Sequence, residues 1–91
     1  MVSGKAVIQS RTGLHLKPAA RFCEEALKYE STITFTFENT TANAKSVLSV
    51  LGACVKSGDE IEIVCNGADE EEALANLCKL ISEGLEDEAD E

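Results

Sequence analysis

The chain has 91 residues, 44% of them apolar, which suits one small core shared by two layers of secondary structure. Its net charge of −9 argues against nucleic acid as a direct ligand, since binding a polyanion needs a basic footprint. No apolar run approaches the roughly 20 residues that span a bilayer, and MVSGKAVIQ at the start lacks the apolar stretch of a signal peptide. The expectation is a cytoplasmic protein with no membrane insertion.

Taken in chain order, Lys5 to Gln9 reads as a short strand with Ala6 and Ile8 on its core face. A helix then begins inside TGLHLKPAARF, Thr12 to Phe22. Gly13 breaks what precedes it, Pro18 falls in the first turn, and apolar residues recur at Ala19, Phe22, Cys23, Ala26 and Leu27. This helix is expected to end near Lys28. Thr32 to Phe37, TITFTF, alternates strictly, with Ile33, Phe35 and Phe37 on one side. Asn39 to Thr41 supplies a turn into a weaker strand near Thr40 to Asn43. A short helix follows Ser46 and runs out near Gly52 to Ala53, and Lys56 to Asp59 turns the chain into an alternating strand over Glu60 to Cys65. The last helix opens at Asp69, with Asp69 as its cap, Glu72 at the capping-box position, and Ala73, Leu74, Leu77, Cys78 and Ile81 as its buried stripe. The order β-α-β-β-α-β-α, with one-sided strands, predicts an α+β fold: an antiparallel sheet covered by helices on one face. There is no internal repeat and no linker. One domain is expected over 1–85, with an acidic, frayed tail over 86–91.

The chain's one histidine, His15, falls at or beside the first helix's N-cap. Ser, Thr, Asp or Asn is the stabilising choice there, and a departure from the stabilising choice marks a candidate functional site. Amides before the first helical rung, here those of Leu16 and Lys17, together with the macrodipole, favour an anion. An imidazole beside the Lys17 ammonium is suited to carrying a phosphoryl group on a ring nitrogen, because imidazole is nucleophilic near neutral pH. The plain alternative is a surface histidine with no role. Charge is distributed to match the first reading. Residues 1–23 contain Lys5, Arg11, Lys17 and Arg21 and no acid, whereas six of the 17 acids lie between Glu83 and Glu91. Cysteines at 23, 54, 65 and 78 form no CxxC pair, which disfavours a zinc or redox site and predicts core thiols. Ser46 alone reads as an ordinary N-cap.

GLHLKPA resembles the active-centre signature of the HPr family, the histidine-containing phosphocarriers of the bacterial phosphotransferase system, commonly GLHARPA or GIHARPA. NAKSVLSVLG, Asn43 to Gly52, is similar to the family's second motif around its regulatory serine, and GDEIEIVCNGADEEEAL, Gly58 to Leu74, to its last strand, turn and helix start. The three ordered motifs cover nearly the whole chain. The resemblance implies an open-faced sandwich with four strands in the order 1-4-2-3 and three helices on one face. It also implies a monomeric carrier that is modified stoichiometrically rather than an enzyme, with no cofactor and no metal. His15 would take the phosphoryl group on Nδ1 from phosphorylated enzyme I and give it to enzyme IIA proteins, with Lys17 and the Leu16 and Lys17 amides steadying the phosphate. Ser46 would be a target for an ATP-dependent HPr kinase, bringing in a catabolite-control transcription factor as a partner. Thr12, Leu16, Val47, Leu48 and Leu51 would form the docking patch.

Three positions depart from the family pattern. Lys17 stands where arginine is usual, Leu16 where alanine is usual, and Ser49 where regulated members often have glycine. Lysine offers phosphate a point charge instead of a planar bidentate fork. These departures keep open an alternative in which the chain is an HPr-like regulatory module that docks on a transcription factor or metabolic enzyme, without a main role in sugar transport.

Overall fold

The computed structural model describes residues 1–11 and 13–85; Thr12 and the tail expected over 86–91 lie outside the described residues. Among the described residues four strands and three helices follow in the order β1 (Val2–Val7), α1 (Leu16–Ala26), β2 (Thr32–Phe37), β3 (Thr40–Asn43), α2 (Val47–Gly52), β4 (Glu60–Asn66) and α3 (Glu70–Ser82). The sheet is antiparallel throughout, in the order β1-β4-β2-β3, as the motif resemblance implied. Its helix-facing side is buried through Ile33 and Phe35 of β2 and Ile61, Ile63 and Cys65 of β4. α1 contributes Ala19, Phe22 and Ala26, and α3 contributes Ala73, Leu77 and Ile81. Phe22 and Phe35 meet edge to face, centroids 5.8 Å apart, joining the two layers at the centre. Burying each such ring stabilises the fold by about 1.5–3 kcal/mol.

The strongly patterned elements lie where the sequence places them. TITFTF is β2 to the residue, and α1 starts after His15 with Pro18 in its first turn. β1, expected over Lys5 to Gln9, instead runs Val2–Val7. Ser3 and Gly4 have little strand preference of their own, but Val2, Ser3 and Gly4 are held in register with Cys65, Val64 and Ile63. α1 ends at Ala26, short of Lys28, and Leu27, expected on the buried face, is 62% exposed at the C-cap. Cys23 and Cys65 are buried and Cys78 half-buried, and burial raises all three thiol pKa values. Cys54, expected in the core, is exposed instead, because the chain reverses there through a left-handed backbone (φ 57°).

Asp69 also departs from its expected role. Its side chain makes no capping bond to α3. It reaches across to the α1–β2 connection, where Oδ1 accepts from the Ser31 amide at 3.0 Å and the Ser31 hydroxyl at 2.5 Å, and Oδ2 from the Glu30 amide at 2.9 Å. The reach-back bond of the helix start comes from Glu70, whose Oε1 accepts from the Gly67 amide at 3.1 Å, rather than from Glu72. Gly67 is required by close approach, since a Cβ there would lie 2.6 Å from Ser31 Cα. The Ser31 hydroxyl, then the Glu30 and Ser31 amides, hold the Asp69 carboxyl below the usual aspartate range. A lowered folded-state pKa gives stability that is present above the unfolded value and is lost as pH falls through the folded value. Acid titration of unfolding free energy should therefore show a loss below the ordinary aspartate range that Asp69→Asn flattens; identical profiles for the two proteins would remove Asp69 from this role.

A second polar hub ties α1 to α3. The Tyr29 hydroxyl donates to Glu25 at 2.8 Å and accepts from Asn76 Nδ2 at 2.7 Å, while Lys45 Nζ donates to the Tyr29 carbonyl at 2.6 Å. Burial pushes Glu25 up, but Tyr29, Lys28 and Arg21 outweigh it and the net shift is downward.

Candidate functional site

The segment ahead of α1 is fixed at two points. The Gly13 amide closes a turn on the Ser10 carbonyl at 3.0 Å, and the Leu14 amide donates to the Val55 carbonyl at 2.9 Å. Gly13 is itself in the left-handed region (φ 71°), and a Cβ on it would stand 2.6 Å from the Val55 carbonyl oxygen and 2.7 Å from Lys56 Cα. Glycine is therefore needed both for the turn and for the approach of two loops. Leu14 is buried (3% exposed) and points inward. His15, next in the chain, is exposed and extended (φ −84°, ψ −169°) at the N-cap.

The His15 imidazole makes no capping hydrogen bond, so the ring spends neither nitrogen on helix stability. The helical ladder starts at Ala19, whose amide donates to the His15 carbonyl at 2.8 Å. Leu16 and Lys17 precede that rung, and Pro18, the third helical residue, has no N–H to satisfy. The helix start thus presents its positive end beside His15, with no acid in its first turn. Of the cations expected to surround His15, Arg21 is engaged elsewhere, 3.7 Å from Glu24 and 3.6 Å from Glu25.

Beside His15 lies an open pocket of about 400 Å³, lined by Leu14, His15, Leu51, Cys54, Val55 and Lys56. Leu51 brings α2 into the site. Ser46 caps that helix as expected, its Oγ accepting from the Ser49 amide at 3.3 Å. Of the expected docking residues, Leu48 is 81% and Leu16 59% exposed, while Val47 and Leu51 are half-buried. Thr12 lies outside the described residues. Nothing in the local pattern marks Cys54, Val55 and Lys56 as pocket lining, because they meet His15 only through the contact between two loops. The glycine before Leu14 was the one available signal. Among the described residues no group of three or more potential ligands converges on a metal site, and no helix is long and apolar enough to cross a membrane.

Fold and site define a class: small open-faced sandwiches that present one histidine at a helix start beside an apolar surface patch. A family model described as "PTS HPr component phosphorylation site" matches residues 2–83, and the chain belongs to this phosphocarrier family of the phosphotransferase system. It is 34% identical over 83 residues to the "HPr-like protein Crh" of Bacillus subtilis, covering 91% of this chain and 98% of that one. It is 32% identical over 88 residues to the "Phosphocarrier protein HPr" of Treponema pallidum, covering 97% and 100%. Among solved structures, HPr-C-His from Thermoanaerobacter tengcongensis superposes with a TM-score of 0.91 at 35% identity, covering 97% of this chain and 99% of that one.

Proposed function

We propose that the chain is a phosphoryl carrier in which His15 accepts a phosphoryl group from phosphorylated enzyme I and passes it to enzyme IIA proteins. The observation that carries this reading is the exposed His15 imidazole at a helix start, making no capping bond. In the transfer, the ring nitrogen Nδ1 attacks phosphorus as the bond from phosphorus to the donor breaks, so a new P–N bond replaces the donor's bond to phosphorus. Positioning and neutralisation of charge on the equatorial oxygens dominate such a step. The Leu16 and Lys17 amides and the Lys17 ammonium supply them here, and the pocket beside His15 accepts apolar groups of the docked partner. The test is incubation with phosphoenolpyruvate and enzyme I followed by intact mass: a gain of one acid-labile phosphoryl group is expected, and an unchanged mass would refute the carrier role.

Lys17 bears on rate. If a point charge grips phosphate less well than a guanidinium fork, Lys17→Arg should speed transfer to enzyme IIA about two- to tenfold, corresponding to about 0.4–1.4 kcal/mol. Stopped-flow rates that stay level or fall would mean that this chain is matched to lysine, which favours a dedicated partner.

Ser46 is the proposed regulatory position. It stands five residues before the pocket residue Leu51, or about 7–8 Å of helix rise, which is within a Debye length at physiological salt. Ser46→Asp should keep the fold, since an anion replaces a hydroxyl at the positive end of α2. Calorimetry should show enzyme I binding weakened by about 1–2 kcal/mol at low salt, with the difference shrinking as salt rises. Equal affinities would leave Ser46 as a cap alone. The second reading, a regulatory module docking on a transcription factor or metabolic enzyme, is favoured by Lys17 and by the match to the HPr-like protein Crh over 91% of the chain. Failure to label, with retained binding of such a partner, would select it.

A further inference from the structure

Away from His15, a groove of about 540 Å³ runs between the outer edge of β1 and the second half of α3; Lys5, Ala6 and Val7 line one wall and Cys78, Lys79 and Ser82 the other. β1 is an edge strand, and its backbone direction can be read from its end. The Ile8 amide donates to Asp59 at 2.8 Å and the Ile8 carbonyl accepts from Gly58 at 2.9 Å, so Ile8 turns both groups toward β4. By alternation Ala6, Gly4 and Val2 do the same, and Ser3, Lys5 and Val7 turn theirs outward, toward the groove. No backbone partner meets these outward groups among the described residues. The two lysines that line the groove, Lys5 and Lys79, form no ion pair among the described residues either, although Glu62 is the cross-strand neighbour of Lys5.

We propose that this groove receives an extended, acidic segment of a partner protein, which adds to the sheet as a strand beside β1. Backbone bonds to Lys5 and Val7 would give the register, the half-buried Ala6 and Cys78 an apolar floor, and the two lysines the preference for acids. Charge complementarity selects this occupant over a second copy of the chain. Antiparallel pairing of two β1 strands about their centre would set Lys5 opposite its own counterpart, and like charges directly opposed are destabilising. An edge lysine deters neutral and basic strands but attracts an acidic one. The proposal is independent of the His15 chemistry.

The test is an amide chemical-shift titration of the full chain with a blocked octapeptide of alternating glutamate and valine. Shifts are expected at Lys5, Val7 and residues 78–82, with His15 unmoved, and none with the lysine–valine counterpart. Val7→Pro removes an outward donor without breaking a rung to β4, and should weaken binding about tenfold. Lys5→Glu combined with Lys79→Glu leaves the backbone intact and should weaken it about three- to tenfold at low salt. Absence of binding, shifts mapping elsewhere, equal response to the lysine peptide, or both variants binding like the parent would overturn the proposal. So would concentration-dependent self-association through the same amides in the absence of peptide, which would assign the edge to a second copy.

Discussion

Replacing His15 by alanine or glutamine should abolish phosphoenolpyruvate-dependent labelling while leaving thermal and urea unfolding nearly unchanged. The two halves of this expectation rest on one feature. Because the imidazole makes no capping bond, α1 loses no hydrogen bond when the ring is removed. N-cap replacements that do remove such a bond typically cost about 0.5–2 kcal/mol, so a much smaller change is expected here. Labelling should fall to background, since the chain has no second histidine to take the group. Acid-labile phosphate on His15→Ala would overturn the assignment. A large loss of stability with labelling retained would recast His15 as a structural cap.

Gly13→Ala should be damaging in both respects. The left-handed backbone at this position strains any side chain, and a methyl group would stand 2.6 Å from the Val55 carbonyl oxygen. Backbone atoms cannot yield as a flexible side chain can, so the loop must move and the bond from Leu14 to Val55 must lengthen or break. A destabilisation of about 1–3 kcal/mol is expected in urea unfolding. Since displacements near 1 Å can cost about a hundredfold in a positioned reaction, the labelling rate should fall tenfold or more. Normal labelling kinetics in a destabilised Gly13→Ala protein would show that the loop contact serves stability and not the placement of His15.

The parts of the molecule legible from the sequence are those where a local pattern and the tertiary environment agree. TITFTF gave β2 because alternation, β-branching and one-sided burial coincide there. Gly13, Pro18 and the apolar spacing marked the start of α1, and with it the place of His15. Elsewhere a distant partner decided the outcome. β1 begins as early as Val2 because β4 lies alongside Ser3 and Gly4, whose own strand preference is weak. Asp69 has the local form of a cap, yet the Glu30 and Ser31 amides claim its oxygens from 39 and 38 positions away. Cys54 has the composition of a core residue and the backbone of a turn, and the turn prevails. The pocket beside His15 was invisible for the same reason, as its far wall arrives with the chain after α2.

The bond from Leu14 to Val55 has a consequence for how the carrier comes into being. The histidine is made early in synthesis, but the wall that fixes its loop is some forty residues later, and the β4 strand that pairs with β1 is later still. α1 alone, at 11 residues, is too short to persist as an isolated helix in water. A nascent chain, a proteolytic fragment or a misfolded copy therefore possesses the histidine ring without the geometry around it. If His15 takes a phosphoryl group as proposed, charging becomes a check on folding as well as a transfer: the molecules that enter the relay are those that have completed their long-range pairing.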